Sequence, residues 1–173
     1  MASPDVRYRS WASADRNAPG AGLACRLVAG PAELRVHYAI REEVFVHEQS
    51  IFAESDRDEH DENGATLHVL GFADGEPAGT VRLYPLDEPG RWKGDRLAVL
   101  APYRRRHLGG PLVRFAVSTA AQRGGRQMDA QIQPANVGFF RHLGWREVGE
   151  PAEYCGQLHQ RMVIDLESWR RPG

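Results

Sequence analysis

Residues 95–110 read DRLAVLAPYRRRHLGG and hold the densest chemistry of the chain. The run Arg96, Leu97, Ala98, Val99 and Leu100 predicts a short strand, which Pro102 breaks. Arg104, Arg105 and Arg106 follow, then His107, Leu108, Gly109 and Gly110. Leu112, Phe115, Ala116 and Thr119 come next at helical spacing, so residues 112–121 predict a helix with one buried face. Pro111 is tolerated in a first helical turn, where its missing N–H has no partner to lose. Strand, basic turn and helix start together offer free backbone N–H groups and the positive end of a helix dipole, a combination that binds phosphate. The arginines add charge for phosphate oxygens. A solvated basic turn ahead of a surface helix would use the same residues. Neither Gly-x-x-x-x-Gly-Lys-Ser/Thr nor Gly-x-Gly-x-x-Gly occurs here, which argues against a P-loop and a dinucleotide fingerprint.

Other reactive side chains are more scattered. Residues 50–64 form a polar loop holding Asp56, Arg57, Asp58, Glu59, His60 and Asp61. Its acidic spacing hints at calcium, but the glycine and terminal glutamate of an EF-hand are missing. His47-Glu48 lacks the second histidine of a zinc-protease helix. No metal is expected, and the loop's length suggests a lid or binding role. Cys25 and Cys155 make neither a disulfide framework nor a metal cage, and a reducing cytoplasm is the default expectation.

The elements that must position these residues follow from pattern. A 173-residue chain with 42% hydrophobic and 26% charged residues suits one domain with a real core. Its net charge of −1 gives no general attraction for nucleic acid or an anionic membrane. No apolar run approaches the ~20 residues of a membrane span, and an apolar signal core is absent at the N-terminus. Residues 1–22 read as a flexible tail, 23–166 as the folded domain and 167–173 as a second tail. A strand is predicted over 23–29 and a helix over 30–48, with Val36, Ile40 and Val44 on its buried line. Strands over 66–73 and 77–86 join at Asp74-Gly75, a hairpin signal. Residues 87–94 are rich in turn formers. After the central strand, loop and helix come a strand over 128–132, a short helix over 136–142 and two last strands over 145–154 and 159–166.

This order, with Arg104, Leu108 and Gly109 in the loop, resembles the GNAT acetyltransferase superfamily. Further segments fit that resemblance: Ile40, Arg41, Val44, Phe45, Val46, Glu48 and Gln49; Asp58 and Asp61; Gly79 to Leu83; and Phe139-Phe140-Arg141-His142-Leu143-Gly144-Trp145. The chain looks most like a bacterial GNAT subfamily associated with nitrogen starvation. The resemblance implies a mixed α/β fold with a largely antiparallel central sheet flanked by helices. It implies acetyl-CoA or coenzyme A as co-substrate, a small-molecule amine as acceptor and no metal. It implies a coenzyme A site at Arg104, Arg105, Arg106, His107, Leu108, Gly109 and Gly110, with Asn136 and Phe139 beside it. The backbone of Leu97, Ala98 and Val99 would align the pantetheine arm. Nucleic acid and membrane are not expected partners, and a homodimer is left open.

Acyl transfer to an amine needs a neutral nucleophile, a stabilised oxyanion and an accepted proton. Glu48, His68 and His159 are the candidate bases, and imidazole suits the task near neutrality. Arg41 and Arg82 could hold an acceptor carboxylate, because guanidinium pairs with carboxylate bidentately, or could instead brace the acidic loop through Asp58 or Asp61. Phe140 stands where the family usually has its acid tyrosine, and a phenyl ring cannot donate a proton. Two alternatives stay open. One is an autoinducer-synthase-like acyltransferase, suggested by the Arg41, Phe45, Asp58, Asp61 and Arg82 pattern. The other is a non-catalytic acyl-CoA sensor, suggested by His107 and Phe140.

Overall fold

The computed structural model describes residues 22–170, and the expected tail over 1–22 lies almost wholly outside them. The strands are β1 (Leu23–Leu27), β2 (Leu67–Ala73), β3 (Glu76–Pro85), β4 (Arg91–Val99), β5 (Gln127–Ile132), β6 (Arg146–Glu147), β7 (Ala152–Tyr154) and β8 (Gln157–Asp165). The helices are α1 (Gly30–Arg41), α2 (Glu59–Glu62), α3 (Gly109–Gln122) and α4 (Val137–His142). All eight strands join one sheet in the order β1-β2-β3-β4-β5-β8-β6, with β7 on β8. Every pairing is antiparallel except β4 with β5. This is the expected mixed α/β fold. Among the described residues, no helix is long and apolar enough to cross a membrane.

Each face of the sheet carries its own core. Ile40 of α1, and Val44 just beyond its end, pack against Leu70, Phe72 and Ala98. α3 sets Leu112, Val113, Ala116 and Val117 against Val69, Val81, Trp92 and Met128 on the other face. Leu108, just before α3, is fully buried. Two glycines make room for it. A Cβ on Gly79 would lie 2.8 Å from the Ala98 carbonyl oxygen and 2.9 Å from Leu112 Cδ1, and one on Gly71 would lie 3.0 Å from Leu108 Cδ2. The basic loop is therefore seated on the sheet at a height that only glycine permits.

Several elements differ from expectation for local reasons. β4 begins at Arg91 rather than Arg96. Its first residues pair with Tyr84 and Pro85 on one side and with β5 on the other, and this pairing outweighs the turn-forming residues nearby. α1 passes without a break into a π-helix over Glu42–Glu48, sealed by Gln49 N–H donating to the Val44 carbonyl. The strand expected over 145–154 divides into β6 and β7 around Gly149, whose φ of 70° is left-handed. Glu167–Trp169 form a 3-10 turn and Trp169 packs on the core, so the folded unit runs past residue 166.

Gly79→Ala is expected to lower stability by about 1–3 kcal/mol, the usual cost of overpacking. Urea unfolding would measure it. A neutral result would mean that α3 can rise off the sheet freely.

Candidate functional site

The site begins with a defect in β4. Thr80 opposes Ala98 and Arg82 opposes Asp95, so Val81 faces two residues, Arg96 and Leu97. This is a β-bulge, and Arg96 takes a left-handed φ of 53° to form it. The bulge reverses the facing pattern of the strand. Before it, Trp92 and Gly94 turn toward α3, and Lys93 and Asp95 toward the α1 side. After it, Leu97 and Val99 pack on the α3 side and Ala98 on the α1 side.

β5 pairs with β4 only from Arg91 to Lys93, opposite Gln127 to Asp129. Beyond that the two strands diverge. The Leu100 N–H bonds to the Ala78 carbonyl across β3. Alternation along the strand then turns the backbone of Leu97 and Val99 toward the gap. A cavity of about 170 Å³ fills the gap and reaches both faces of the sheet. On the α3 side Leu97, Val113, Ala116, Met128, Phe140 and Trp145 line it. On the other side its walls are Phe45, Phe52, Lys93, Asp95, Tyr154 and His159.

Ion pairs build the wall on the α1 side. Arg41 Nε donates to Asp56 Oδ2 at 2.6 Å, and its Nη1 and Nη2 reach both oxygens of Asp61 at 2.8 and 2.9 Å. Arg82 is gripped from two sides, by Asp95 at 2.7 and 2.7 Å and by Asp58 at 2.6 and 3.0 Å. Arg96 Nε adds a bond to Asp56 Oδ2 at 3.0 Å. The Asp58 side chain also caps α2, in a reciprocal capping box with Asp61. Burial alone would raise the Asp61 carboxyl, but hydrogen bonds from His68 and Arg41 overcome it and hold the group far below the usual range. Asp58 behaves alike: burial opposes, while Arg82 and Arg96 prevail. Burial, reinforced by the charge on Arg41 and by His68, keeps His37 well below its ordinary pKa. Its neutral ring donates Nδ1–H to the Val69 carbonyl at 3.1 Å.

The candidate side chains divide accordingly. Arg41 and Arg82 are both 0% exposed and spend their guanidinium groups on aspartates, so the structure corrects their role from acceptor binding to bracing the acidic loop. His68 binds Asp61 through Nε2 at 3.1 Å and does not line the cavity, so it belongs to the same network. Glu48 also lies outside the lining and pairs with Arg104 across to the basic loop. His159 does line the cavity. Its Nδ1 lies 2.9 Å from the Gln157 carbonyl, which can only accept, so in the neutral tautomer Nδ1 carries the proton and Nε2 the lone pair.

Next to the bulge sits the basic loop, a 3-10 turn over Ala101–Arg106 closed by His107 at a left-handed φ of 58°. No side chain caps α3, so the Gly109 and Gly110 amides keep their hydrogen-bonding capacity, while Pro111 has no N–H and the Leu112 N–H bonds to the Leu108 carbonyl. Arg104 Nε reaches the Val99 carbonyl at 3.1 Å, and Arg106 pairs with Asp74 at 2.6 Å. Arg105 is exposed and makes no ion pair among the described residues. Asn136 lines the cavity, and the half-exposed Phe139 faces Gly109, where a Cβ would meet its Cζ at 3.5 Å. The turned-out edge of β4, the uncapped helix start and this aromatic shelf run on from one another, and they fit a long thin ligand ending in phosphate.

Sequence reading missed Lys93 and Tyr154. Lys93 Nζ donates to the Tyr154 hydroxyl at 3.0 Å, and the Tyr154 ring meets His159 edge-on at 5.3 Å. Lys93 and Tyr154 stand 61 positions apart, and no local periodicity links them. Cys155, at the tip of the β7–β8 hairpin, is exposed on the cavity rim.

Comparison with known proteins agrees with this geometry. The model of the acetyltransferase (GNAT) family matches residues 34–145. The uncharacterized N-acetyltransferase YjcF of Bacillus subtilis is 30% identical over 134 residues, 77% of this chain and 93% of its own length. An acyl-CoA N-acyltransferase from Pseudomonas aeruginosa superposes with a TM-score of 0.68 at 25% identity, covering 82% of this chain and 97% of that one. The CoA-dependent acyl-homoserine lactone synthase BjaI, solved with SAM and isopentyl-CoA, shares the fold with a TM-score of 0.65 at 19% identity over 78% of this chain and 76% of its own.

The ion network sets an expected acid response. Below about pH 6.5 the unfolded chain takes up a proton on His37 that the native fold refuses, so stability is full above that pH and declines beneath it. Asp58 and Asp61 act lower down: their contribution is full above about pH 3.9 and is lost as pH falls further. Urea unfolding at stepped pH should show both declines, and His37→Gln should remove the first. Asp61→Asn at pH 7 should cost about 3–5 kcal/mol by leaving buried guanidinium charge uncompensated.

Proposed function

The chain belongs to the GNAT acetyltransferase family, and from that premise we propose that it is an acyl-CoA-dependent N-acyltransferase, with acetyl-CoA as donor. It transfers the acyl group directly to the amine of a small molecule. The observation that carries this reading is the gap between β4 and β5, because one cavity joins the turned-out edge of β4 to a histidine with a free Nε2. Acetyl-CoA, when bound, supplies an activated thioester. The chain's own residues do the rest. Arg105, Arg104 and the first amides of α3 would hold its phosphates, and Phe139 and Asn136 would flank the pantetheine arm. The backbone of Leu97 and Val99 would align that arm as an added strand and hold the acyl carbonyl. His159 Nε2 accepts the proton of the attacking amine. Phe45, Phe52, Phe140 and Trp145 keep bulk water away.

This reading extends to a cytoplasmic enzyme of one domain, of the kind resembling the nitrogen-starvation subfamily. No nucleic acid or membrane takes part, and a homodimer is compatible with it. A second reading rests on the buried Arg41–Asp61 and Arg82–Asp58 pairs, the residues whose pattern resembles autoinducer synthases. The donor would then be acyl-carrier protein or, as the BjaI complex illustrates, a longer acyl-CoA, and offering acyl-carrier protein, isopentyl-CoA and acetyl-CoA side by side separates the readings.

Thiol release from acetyl-CoA across a broad amine panel, beside calorimetric binding of coenzyme A, tests the proposal. Binding with no turnover on any amine would make the protein an acyl-CoA sensor instead. Arg104→Ala should weaken coenzyme A by about 1.5–3 kcal/mol, the scale of a hydrogen bond to a charged group. Unchanged affinity would remove the loop from the donor site. His159→Gln should lower kcat by ~10²–10⁴ while acetyl-CoA still binds. Full turnover would reduce that histidine to a structural residue.

A further inference from the structure

Among the described residues, one charged side chain on the cavity wall makes no ion pair. Asp95 is held by Arg82, and Arg96 by Asp56 and Asp58. Lys93 also lines the cavity and forms no ion pair among the described residues. Its polar contact is to the Tyr154 hydroxyl, whose ring lies 4.8 Å from Nζ. An ammonium has three N–H groups and no lone pair, so it donates to the phenol oxygen and keeps two N–H groups for other partners. The Tyr154 O–H, relieved of accepting elsewhere, is free to donate as well. An amine carrying a net positive charge alone would be repelled here. An unpaired cation beside a hydroxyl donor in a largely apolar cavity calls for an anion.

Building on the acyltransfer reading above, we propose that Lys93 and Tyr154 form a carboxylate site, and that the acceptor is therefore an amino acid rather than a simple amine. Two N–H groups and one O–H match the two oxygens of a carboxylate. A phosphate dianion would leave one negative charge unmatched by the single lysine. The site also limits how far apart the two groups of the acceptor stand. Tyr154 meets Lys93 at its hydroxyl, and its ring centroid lies 5.3 Å from that of His159. The carboxylate site and the proton acceptor thus flank the same tyrosine. Amino acids whose amine lies close to the carboxylate fit that arrangement better than long ω-amino acids. The rest of the acceptor extends toward Phe45 and Phe52, so an apolar or aromatic side chain is favoured.

The test is a matched panel: amino acids, their carboxamides, the corresponding decarboxylated amines and phosphoethanolamine, each assayed by thiol release from acetyl-CoA. Free acids should exceed their amides and decarboxylated amines in kcat/KM by ten-fold or more. Lys93→Met should bring that ratio close to one, chiefly by raising KM for the acids, and Lys93→Arg should restore part of it. Tyr154→Phe should reduce the ratio less than Lys93→Met does, and it probes the same site if the lysine variant fails to fold. Turnover of amides and amines as fast as acids would overturn the carboxylate site and leave the acyltransfer reading standing. So would a ratio that survives Lys93→Met, or a preference for phosphoethanolamine. Acetyl-CoA binding without thiol release on any member would overturn the acyltransfer reading, and this proposal with it.

Discussion

The site depends on the aspartate–arginine network behind β4. Arg41 leaves the end of α1, Asp56, Asp58 and Asp61 come from the loop and turn around α2, and Arg82 and Asp95 lie on neighbouring strands. Four separate parts of the chain are thus tied at one point. Without it, the acidic loop would have little apolar surface of its own with which to pack. The network gives Phe52 a fixed place on the cavity wall, where Arg96 lies over its ring at 4.9 Å.

Such a network is a poor source of net stability, since desolvating the charges offsets most of their attraction. Its contribution is geometric. Arg96 occupies a backbone region that costs a β-strand residue of order 1–3 kcal/mol, and such strain persists only where the surroundings over-determine it. Here its side chain is fixed by Asp56 and its carbonyl accepts a hydrogen bond from the Thr80 hydroxyl at 2.9 Å. The bulge is thereby held open, and with it the change of facing that sends Asp95 and Arg96 to one side of the sheet and Leu97 and Val99 to the other. A mirror of this logic seats the basic loop, where Gly71 and Gly79 let Leu108 sink onto the sheet.

Much of this was legible in the sequence. Hydrophobic period placed α1, α3 and the β2–β3 hairpin, and proline and glycine placed the basic loop between strand and helix. Less legible was anything decided across the sheet. Arg41 and Arg82 suit a ligand carboxylate and an internal aspartate equally well, and only burial distinguishes the two. His68, His159 and Glu48 carry similar local signals, yet one joins the ion network, one lines the cavity and one pairs with Arg104. Lys93 fell inside a stretch rich in turn formers, and β-pairing with two neighbours drew it into a strand. The π-helix leaves no mark in the apolar pattern, because it alters the hydrogen-bond ladder and not the identity of the buried face.

The divergence of β4 and β5 gives the sheet an edge in its middle. An outer edge is open to any strand that drifts past, and proteins guard such edges against aggregation. This one is flanked on both faces by helices and loops, and it is short. It admits a chain of single-strand width entering lengthwise and excludes a folded neighbour. Recognition along it would rest on cross-section and on backbone amides, strict about shape while indifferent to side chains. The sheet also remains incomplete until something lies there, and whatever fills the slot lends its own bonds to the fold by mass action. Occupancy and rigidity are thus coupled through the backbone itself, with no moving lid required.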